Sequence, residues 1–566
     1  MDFIYDEEKE PGELIEEFAE LSLEGIQTIP KIEYSLYPHQ LNAIDFIKKR
    51  ESDTIISGGI LSMEMGMGKT LTMLSHIINE KKENKKLGPT LVCCPKTALI
   101  TWIEEIQKFM GNDCSYLIYR KENLDLDSIE TSTLLEVDIV LVNYEYIRSL
   151  VTKFKAFEKI VIRDMYERCI GCRYNTTPLY KDTFGEKSIL SMKWHRIIAD
   201  ESHNFSNYKT SLFQAMMCLA GTYKWCLSGT PIRNYSDDLY AQYKFLGYRD
   251  VKYDLKRFRS QDCSKYMFYL TYQKAGIKLP NVTHKRINCK LEGYNEKIYF
   301  YYLNKADQAY QSYTIGTKTF AEVLTLFLRL RQVCICPYTV TPNLEKLSLA
   351  EQEAYEYAQK YLDKHNDGLG TWINNVEGTS GILAPKIVET LKIIKSIPKG
   401  EKVIVFTMFK KVITILQSAC KDINTLVIHG DVVGKERANV LNTFKKESID
   451  VLFISYKIGA ESLNLTEANH IILLEPWWCP AVINQAKARV QRLGQKKDVT
   501  IYECYIGNTT TVPSIEEAII EYCDKKEMLA KEFYTNGQMK EKSSLDAKTL
   551  GLLLAKTKCK SSYYDK

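Results

Sequence analysis

Apolar residues along the chain fall into short β-rich runs separated by longer helical stretches. From about residue 31 to 250 the runs are "GGILSM" (58–63), "TLVCCP" (90–95), "DIVLVNY" (138–144), "HRIIAD" (195–200) and "KWCLSGT" (224–230). Each is short, nearly continuous in apolar character and followed by a polar or Gly/Pro turn. That is the pattern of strands buried on both faces. Segments such as "TALITWIEEIQKFM" (97–110) lie between them and carry helical spacing. Strands alternating with helices predict a parallel sheet covered on both sides. The same grammar returns after residue 400 in "KVIVFTMF" (402–409), "TLVIHG" (425–430), "DVLFIS" (450–455), "HIILLEP" (470–476) and "VTIYECYI" (499–506). The pattern therefore predicts an α/β protein of two tandem lobes, lobe 1 at 31–255 and lobe 2 at 381–535. Residues 256–380 are expected to be a mostly helical and irregular insertion and linker. An acidic arm (1–30) precedes lobe 1, and a lysine-rich tail without packed structure (536–566) is expected after lobe 2.

Composition narrows the class. A chain of 566 residues is too long for one core. Its 45% hydrophobic and 26% charged residues are those of a globular protein. No apolar run reaches the roughly 18 residues of a membrane helix. The acidic start does not fit a signal peptide. The 16 cysteines are scattered, so a disulfide framework is not expected and a reducing compartment is. Residues 1–25 hold ten acids against Lys9 alone, a net of −9 within the overall +5, so the rest of the chain carries +14. A basic body with an acidic arm fits a polyanionic partner. Within the arm, Leu14, Phe18 and Leu21, with Ile15 beside them, predict one apolar stripe on a short helix. Packing as a cap, recruiting a partner and covering the basic body all fit that stripe.

Candidate chemistry begins at "MEMGMGKT" (63–70). Gly68, Lys69 and Thr70 fill the second half of the phosphate-loop signature G-x-x-x-x-G-K-[ST], while Met63 stands in its first glycine slot. The stretch follows a strand and opens a helix whose Leu71, Leu74 and Ile78 share one face. A helix N-terminus offers unpaired amides and a positive dipole end to phosphate. Gly66 and Gly68 permit close approach of backbone, Lys69 would neutralise phosphate charge, and Thr70 would ligate Mg²⁺. Taken alone, a capped turn with a surface lysine also fits. The second signal decides: "IIADESH" (197–203) ends a strand in Asp200 and Glu201. Asp200 at a strand tip would hold Mg²⁺, and Glu201 would orient and deprotonate the attacking water. In "NQAKARVQRLGQ" (484–495), Gln485, Arg489 and Arg492 are spaced four and three apart, which on a helix is one face. Two arginines there could stabilise charge on a phosphoryl group, although an ordinary basic helix face has the same spacing.

Together these motifs resemble the helicase-like ATPases of superfamily 2, specifically the SWI/SNF-type DNA translocases. That family's loop typically reads "DEMGLGKT", with no glycine in the first slot, so Met63 replaces an acid rather than a glycine. The resemblance runs from about residue 36 to 532. It is carried by "LYPHQLNAIDFI" (36–47), "CCPKTALITWIEEIQKF" (93–109), "KWCLSGTPIRN" (224–234), "LRLRQVCICP" (328–337) and the long run "SYKIGAESLNLTEANHIILLEPWWCPAVINQAKARVQRLGQ" (455–495). The wording around Trp225 and "LRLRQVC" is closest to the branch holding DNA-damage-tolerance translocases and transcription-termination ATPases. The compact form, with no added reader module visible, resembles motors of large DNA viruses.

The resemblance implies two RecA-like lobes with ATP and Mg²⁺ between them, and double-stranded DNA as partner. Gln40 would read adenine, with Gly66, Gly68, Lys69, Thr70, Gly459 and Gln485 completing the ATP site. Thr70 and Asp200 would be the metal positions, Glu201 the base, and Arg489 and Arg492 the contribution of lobe 2. His203, Ser228 and Thr230 would couple the phosphate state to lobe contact. Lys96, Thr97, Tyr144, Thr407 and Asn464 match positions near the DNA backbone, which implies little sequence preference. A monomeric motor is implied, with transcription or chromatin proteins as further partners, no membrane, and a nuclear or viral-replication-site location. Two departures stand out: Gln491 replaces the usual histidine between the final arginines, and the arginine pair ahead of Leu279–Pro280 is missing. A strand-separating DNA or RNA helicase and a polymerase-associated release factor using ATP as a switch remain alternatives. Trp477 and Trp478 fit either base stacking or core packing. Cys169 and Cys172 form the chain's C-x-x-C pair, and a zinc site would need two further ligands.

Overall fold

β1 (Gly58–Met63) is buried at all its positions, as the unbroken apolar run requires. The same holds for β2 (Thr90–Cys94), and nearly so for β4 (Ile139–Asn143) and β5 (Lys193–Asp200). Successive residues go to opposite cores. Ile60, Leu91, Cys93, Val140, Val142 and Ile197 face one, and Leu61, Val92, Cys94, Ile139, Leu141 and Ile198 the other. With β3 (Tyr116–Tyr119), β6 (Ala220–Leu227) and β7 (Met267–Leu270) these strands form a seven-stranded parallel sheet, order β3-β4-β2-β5-β6-β1-β7. The main helices of this unit are α1 (Pro38–Glu51), α2 (Lys69–Glu83), α3 (Lys96–Glu105), α4 (Tyr144–Lys153), α5 (Ser211–Met217) and α6 (Asp237–Phe245), with a short one at Thr131–Leu135.

These coordinates come from a computed structural model, which describes residues 33–53, 56–84, 86–119, 131–153, 189–190, 192–208, 210–232, 237–248, 265–291, 293–340, 384–420, 422–432, 434–459, 463–507, 513–536 and 547–557. The acidic arm with its apolar stripe and the Cys169–Cys172 pair lie outside them. The described residues divide into two compact units: those up to Lys278 together with 530–536 form the first, and those of 279–529 together with 547–557 form the second.

The second unit holds a six-stranded parallel sheet of β8 (Val282–Cys289), β9 (Val403–Thr407), β10 (Thr425–Ile428), β11 (Val451–Ser455), β12 (His470–Leu473) and β13 (Val499–Ile506). Its order is β10-β11-β9-β12-β13-β8. The helices are α7 (Gly293–Thr314), α8 (Phe320–Ile335), α9 (Pro385–Ser396), α10 (Lys410–Ala419), α11 (Gly434–Lys446), α12 (Tyr456–Gly459), α13 (Pro480–Lys487), α14 (Ile515–Asn536) and α15 (Ala547–Lys556). α8 starts at a capping box: Glu322 N donates to Thr319 Oγ1 and Thr319 N donates to the Glu322 carboxylate. Its buried face, Val323, Phe327 and Leu330, packs with α7 residues such as Tyr299 and Tyr302 and with Ile515 and Ile519 of α14.

Three expectations need correction. The stretch expected to be helical and irregular from residue 256 supplies a strand to each sheet, β7 to the first and β8 to the second; only beyond them do α7 and α8 appear. The lysine-rich tail contains α15, whose Leu550, Leu553 and Leu554 are buried in the core of the second unit. The helix expected to carry Gln485, Arg489 and Arg492 on one face stops at Lys487, leaving both arginines in the turns that follow.

Candidate active site

The loop after β1 and the tip of β5 rise from the same, carboxyl end of one parallel sheet, where open α/β sheets place their ligand crevices. Gly66 (φ +83°) and Gly68 (φ +79°) both adopt left-handed backbone. At Gly68 a Cβ would lie 2.4 Å from Gln40 Nε2, so a side chain there would displace the Gln40 amide. The loop then enters α2 at Lys69, whose Nζ donates to Met63 O at 2.9 Å. Gln40 is buried at the start of α1 and donates from Nε2 to Gly68 O at 3.3 Å, while its Oε1 accepts from Tyr37 N at 2.9 Å. Thus the adenine-reading candidate is bonded directly to the phosphate-loop candidate. Thr70 is half-buried in the first turn of α2.

At the tip of β5, Asp200 is buried and both carboxylate oxygens are occupied. Trp102 Nε1 donates to Oδ2 at 2.9 Å, and Glu201 N donates to Oδ1 at 2.9 Å. Burial first, then repulsion from Glu201, pushes the Asp200 carboxyl above the usual carboxylate range, while the Trp102 hydrogen bond and the Lys69 charge pull the other way. Glu201 has φ +49°, the only positive φ of a non-glycine among the described residues. Such a backbone is uncommon for an acid and clusters at functional sites. Its Oε2 is buried with no hydrogen-bond partner, as is Thr230 Oγ1. His203 Nδ1 does lie 3.2 Å from Glu201 Oε2. It is also 3.0 Å from Ser228 Oγ, and one Nδ1 proton serves only one of them. Ser228 Oγ in turn accepts from Thr230 N at 3.1 Å. His203 Nδ1 thus stands between Glu201 and Ser228, and Ser228 in turn meets Thr230.

These features fit a nucleoside triphosphate with a divalent cation. Left-handed glycines and a helix N-terminus form a concave anion cradle, a lysine lies at its mouth, and a strand-tip carboxylate stands beside an acid with an unsatisfied buried oxygen. The trio Glu51, His76 and Glu80 also has metal-ligand proximity. Arg196 already fills it, donating to Glu51 at 2.7 Å and to Glu80 at 2.6 Å, so it is a buried ion-pair network.

Among the expected DNA-contact residues, Lys96 and Asn464 are exposed. Thr97 lies on α3, and its side chain is outside the described set. Two others sit in the core rather than on an edge. Tyr144 is buried and donates its hydroxyl to Asp200 O at 2.6 Å; Thr407 is buried and donates to Glu475 Oε1 at 3.3 Å. In the second unit Gly459 ends α12, Gln485 is buried on α13, and Arg489 is 6% exposed. Arg492 Nη1 donates to Leu463 O at 3.2 Å. Trp477 and Trp478 resolve in favour of packing. Their rings stack at 4.0 Å, and the buried Arg331 lies over both at 4.5 and 4.7 Å.

Trp102 was not singled out by sequence reasoning, although it stands within a quoted motif. The available signal was a tryptophan in the helix after β2, whose indole N–H must find a buried acceptor.

Comparison with known proteins agrees with this geometry. The profile of the SNF2-related domain matches residues 39–263, and that of the helicase conserved C-terminal domain matches 385–494. The chain is 32% identical to putative helicase 172L of Invertebrate iridescent virus 6, across 92% of this chain and 95% of that protein. It is 24% identical to the DNA repair protein RAD5 of Yarrowia lipolytica, across 86% of this chain and 56% of that protein. A solved Sulfolobus solfataricus SWI2/SNF2 ATPase core in complex with dsDNA is 21% identical, with 89% of this chain and 93% of that one covered and a TM-score of 0.36. No helix among the described residues is long and apolar enough to cross a membrane.

Proposed function

The chain belongs to the SNF2-related, helicase-like ATPases, and from that membership we propose that it hydrolyses ATP with Mg²⁺ to translocate along double-stranded DNA, remodelling protein–DNA complexes. The observation that carries the chemistry is the pairing, in one unit, of the Gly66–Thr70 cradle with Asp200 and a Glu201 held in left-handed backbone with a buried carboxylate oxygen. ATP with its metal brings a phosphoanhydride and the charge that such a cradle balances. The loop amides and Lys69 would bind the phosphates, and Thr70 and Asp200 would hold the metal, which would supply charge neutralisation there. Trp102 fixes the Asp200 carboxylate. Glu201 accepts a proton at Oε2 from the attacking water. His203 and Ser228 carry the state of that carboxylate toward Thr230. Arg489 and Arg492 act from the second unit, and Gln40 reads the base. DNA is held mainly through its phosphates, so binding has little sequence preference and weakens with salt. The family relationship supports a DNA-associated location; a nuclear or viral-replication site, and action as a monomer beside transcription or chromatin proteins, complete the proposal.

An ATPase assay with duplex DNA, single-stranded DNA and RNA tests this reading, together with displacement from a tailed duplex and from a triplex. Duplex should stimulate most, Lys69→Ala should abolish turnover, and Glu201→Gln should cut it about 10² to 10⁴-fold while sparing nucleotide binding. Displacement of the triplex strand without release of duplex strands supports translocation. Efficient duplex unwinding, or normal turnover in Glu201→Gln, overturns it.

A further inference from the structure

A phosphate cradle works only if its amides point inward. In a trans peptide the N–H points opposite to the C=O, so a carbonyl held outward fixes the next residue's amide inward. Carbonyls of this loop are bonded to side chains outside it. His39 Nε2 lies 3.1 Å from Met67 O, and Gly68 O accepts from Gln40 Nε2 at 3.3 Å. Met65 O accepts from a residue that none of the motifs contains: the Tyr272 hydroxyl, at 2.7 Å. The peptide it fixes is the one whose N–H belongs to Gly66.

Tyr272 is held in place by the loop it braces. Its backbone N donates to the Glu64 carboxylate at 2.6 Å, and Glu64 N donates to Leu270 O at 3.0 Å. The Leu270–Tyr272 segment thus grips Glu64–Met65 by three bonds. Beyond it the chain makes a tight turn, with Ala275 N on Thr271 O at 2.9 Å and Ile277 N on Tyr272 O at 3.0 Å. That turn leads to Lys278, after which the chain passes to the second unit. The phosphate loop is therefore riveted to the segment by which the chain leaves this unit.

We propose that Tyr272 is a positioning residue for the phosphate loop: its hydroxyl aims the Gly66 amide at bound phosphate and ties nucleotide occupancy to the 271–277 turn. The proposal rests on the ATPase reading of this site. It assigns a residue at the place where the arginine pair expected ahead of Leu279–Pro280 is missing.

The test is Tyr272→Phe in the full chain. It keeps the ring and the backbone N–H to Glu64 and removes only the hydroxyl. A cradle amide serves bound ATP and the transition state alike, so KM for ATP and the Kd of ATPγS should each rise about 3- to 10-fold, the effect of one lost hydrogen bond. kcat should stay within about twofold. Thr271→Val, which alters only the Thr271 Oγ1 bond to Lys274 N inside the turn, should leave both constants unchanged. Wild-type KM and Kd in Tyr272→Phe, or an equal shift in Thr271→Val, overturns the brace. Wild type and Lys69→Ala in the same assay separate the two readings. Without Lys69-dependent ATP hydrolysis the ATPase reading itself fails; with it, an unaffected Tyr272→Phe sinks only the brace. Should Tyr272→Phe not fold, hydrogen exchange of wild-type residues 271–277 decides. ATPγS should slow that exchange, and an unchanged rate overturns the link.

Discussion

The polar residues buried without full partners are informative residue by residue, because each marks a group whose environment was set by something else. Glu475, just after β12, is buried, with Met408 N donating to Oε1 at 2.6 Å and Oε2 left without a partner. Burial pushes its carboxyl up to about 7 from an ordinary 4.5, against the pull of Arg331, the Met408 amide, Lys386 and Thr407. The folded state therefore keeps a proton that the unfolded chain releases. The stability this contributes is complete below about pH 4.5 and is lost as pH rises through 7, then levels off. Glu475→Gln cannot ionise. The urea midpoint of wild type should fall more between pH 5 and pH 8 than that of Glu475→Gln, by on the order of 3 kcal/mol in unfolding free energy. Parallel pH profiles for the two proteins would show that Glu475 is already ionised at pH 5.

At the scale of elements, burial decided what was legible. β1, β2, β4, β5, β9, β11 and β12 were readable because both faces pack on core, which demands unbroken apolar runs. The half-buried edge strand β10 and the partly buried β13 still keep mostly apolar runs. The other edge strand, β8, escaped because "VTHKRINC" leaves His284, Lys285 and Arg286 exposed, and no apolar period survives. β7 is four residues of mostly half-buried aromatics and was lost for a similar reason. The end of α13 was unreadable for a different one. Gln495 Nε2 gathers the carbonyls of Thr466, Ala468 and Val490, and Leu465 N takes Arg489 O. These tertiary bonds replace the next helical turn, although the residue spacing would have continued it. The candidate site residues stood out because loop chemistry requires particular types at fixed spacing, whereas Trp102 and Tyr272 are bonded to residues far away in sequence. The tail was misjudged on its lysines, while its leucines do the packing. Leu554→Ala in α15, at a site 1% exposed in the core shared with α7, α8 and α14, should cost about 2 to 5 kcal/mol. Thermal denaturation checks this, and a loss under 0.5 kcal/mol would mean that α15 is undocked in solution.

For the whole molecule, the division of labour between the two units makes a separable prediction. The first unit contains the cradle, Lys69, Asp200 and Glu201, which the proposed function assigns to nucleotide binding. The second contains Arg489 and Arg492, which the proposed mechanism reserves for the transition state. Arg489 is buried and Arg492 is bonded to Leu463 O. In the proposed mechanism both act on the transition state and not on the bound nucleotide. Arg489→Ala and Arg492→Ala should therefore bind ATPγS within about twofold of wild type while losing about 10²-fold or more in DNA-stimulated kcat, the scale of a lost electrostatic contact in a transition state. The discriminating measurement is the split between constants. A variant that raises KM and keeps kcat has lost an interaction made equally with ground and transition states. That result for either arginine would remove it from the catalytic step. The same result for both would confine catalysis to the first unit and leave the second as a DNA-binding partner whose contribution ends at positioning the strand.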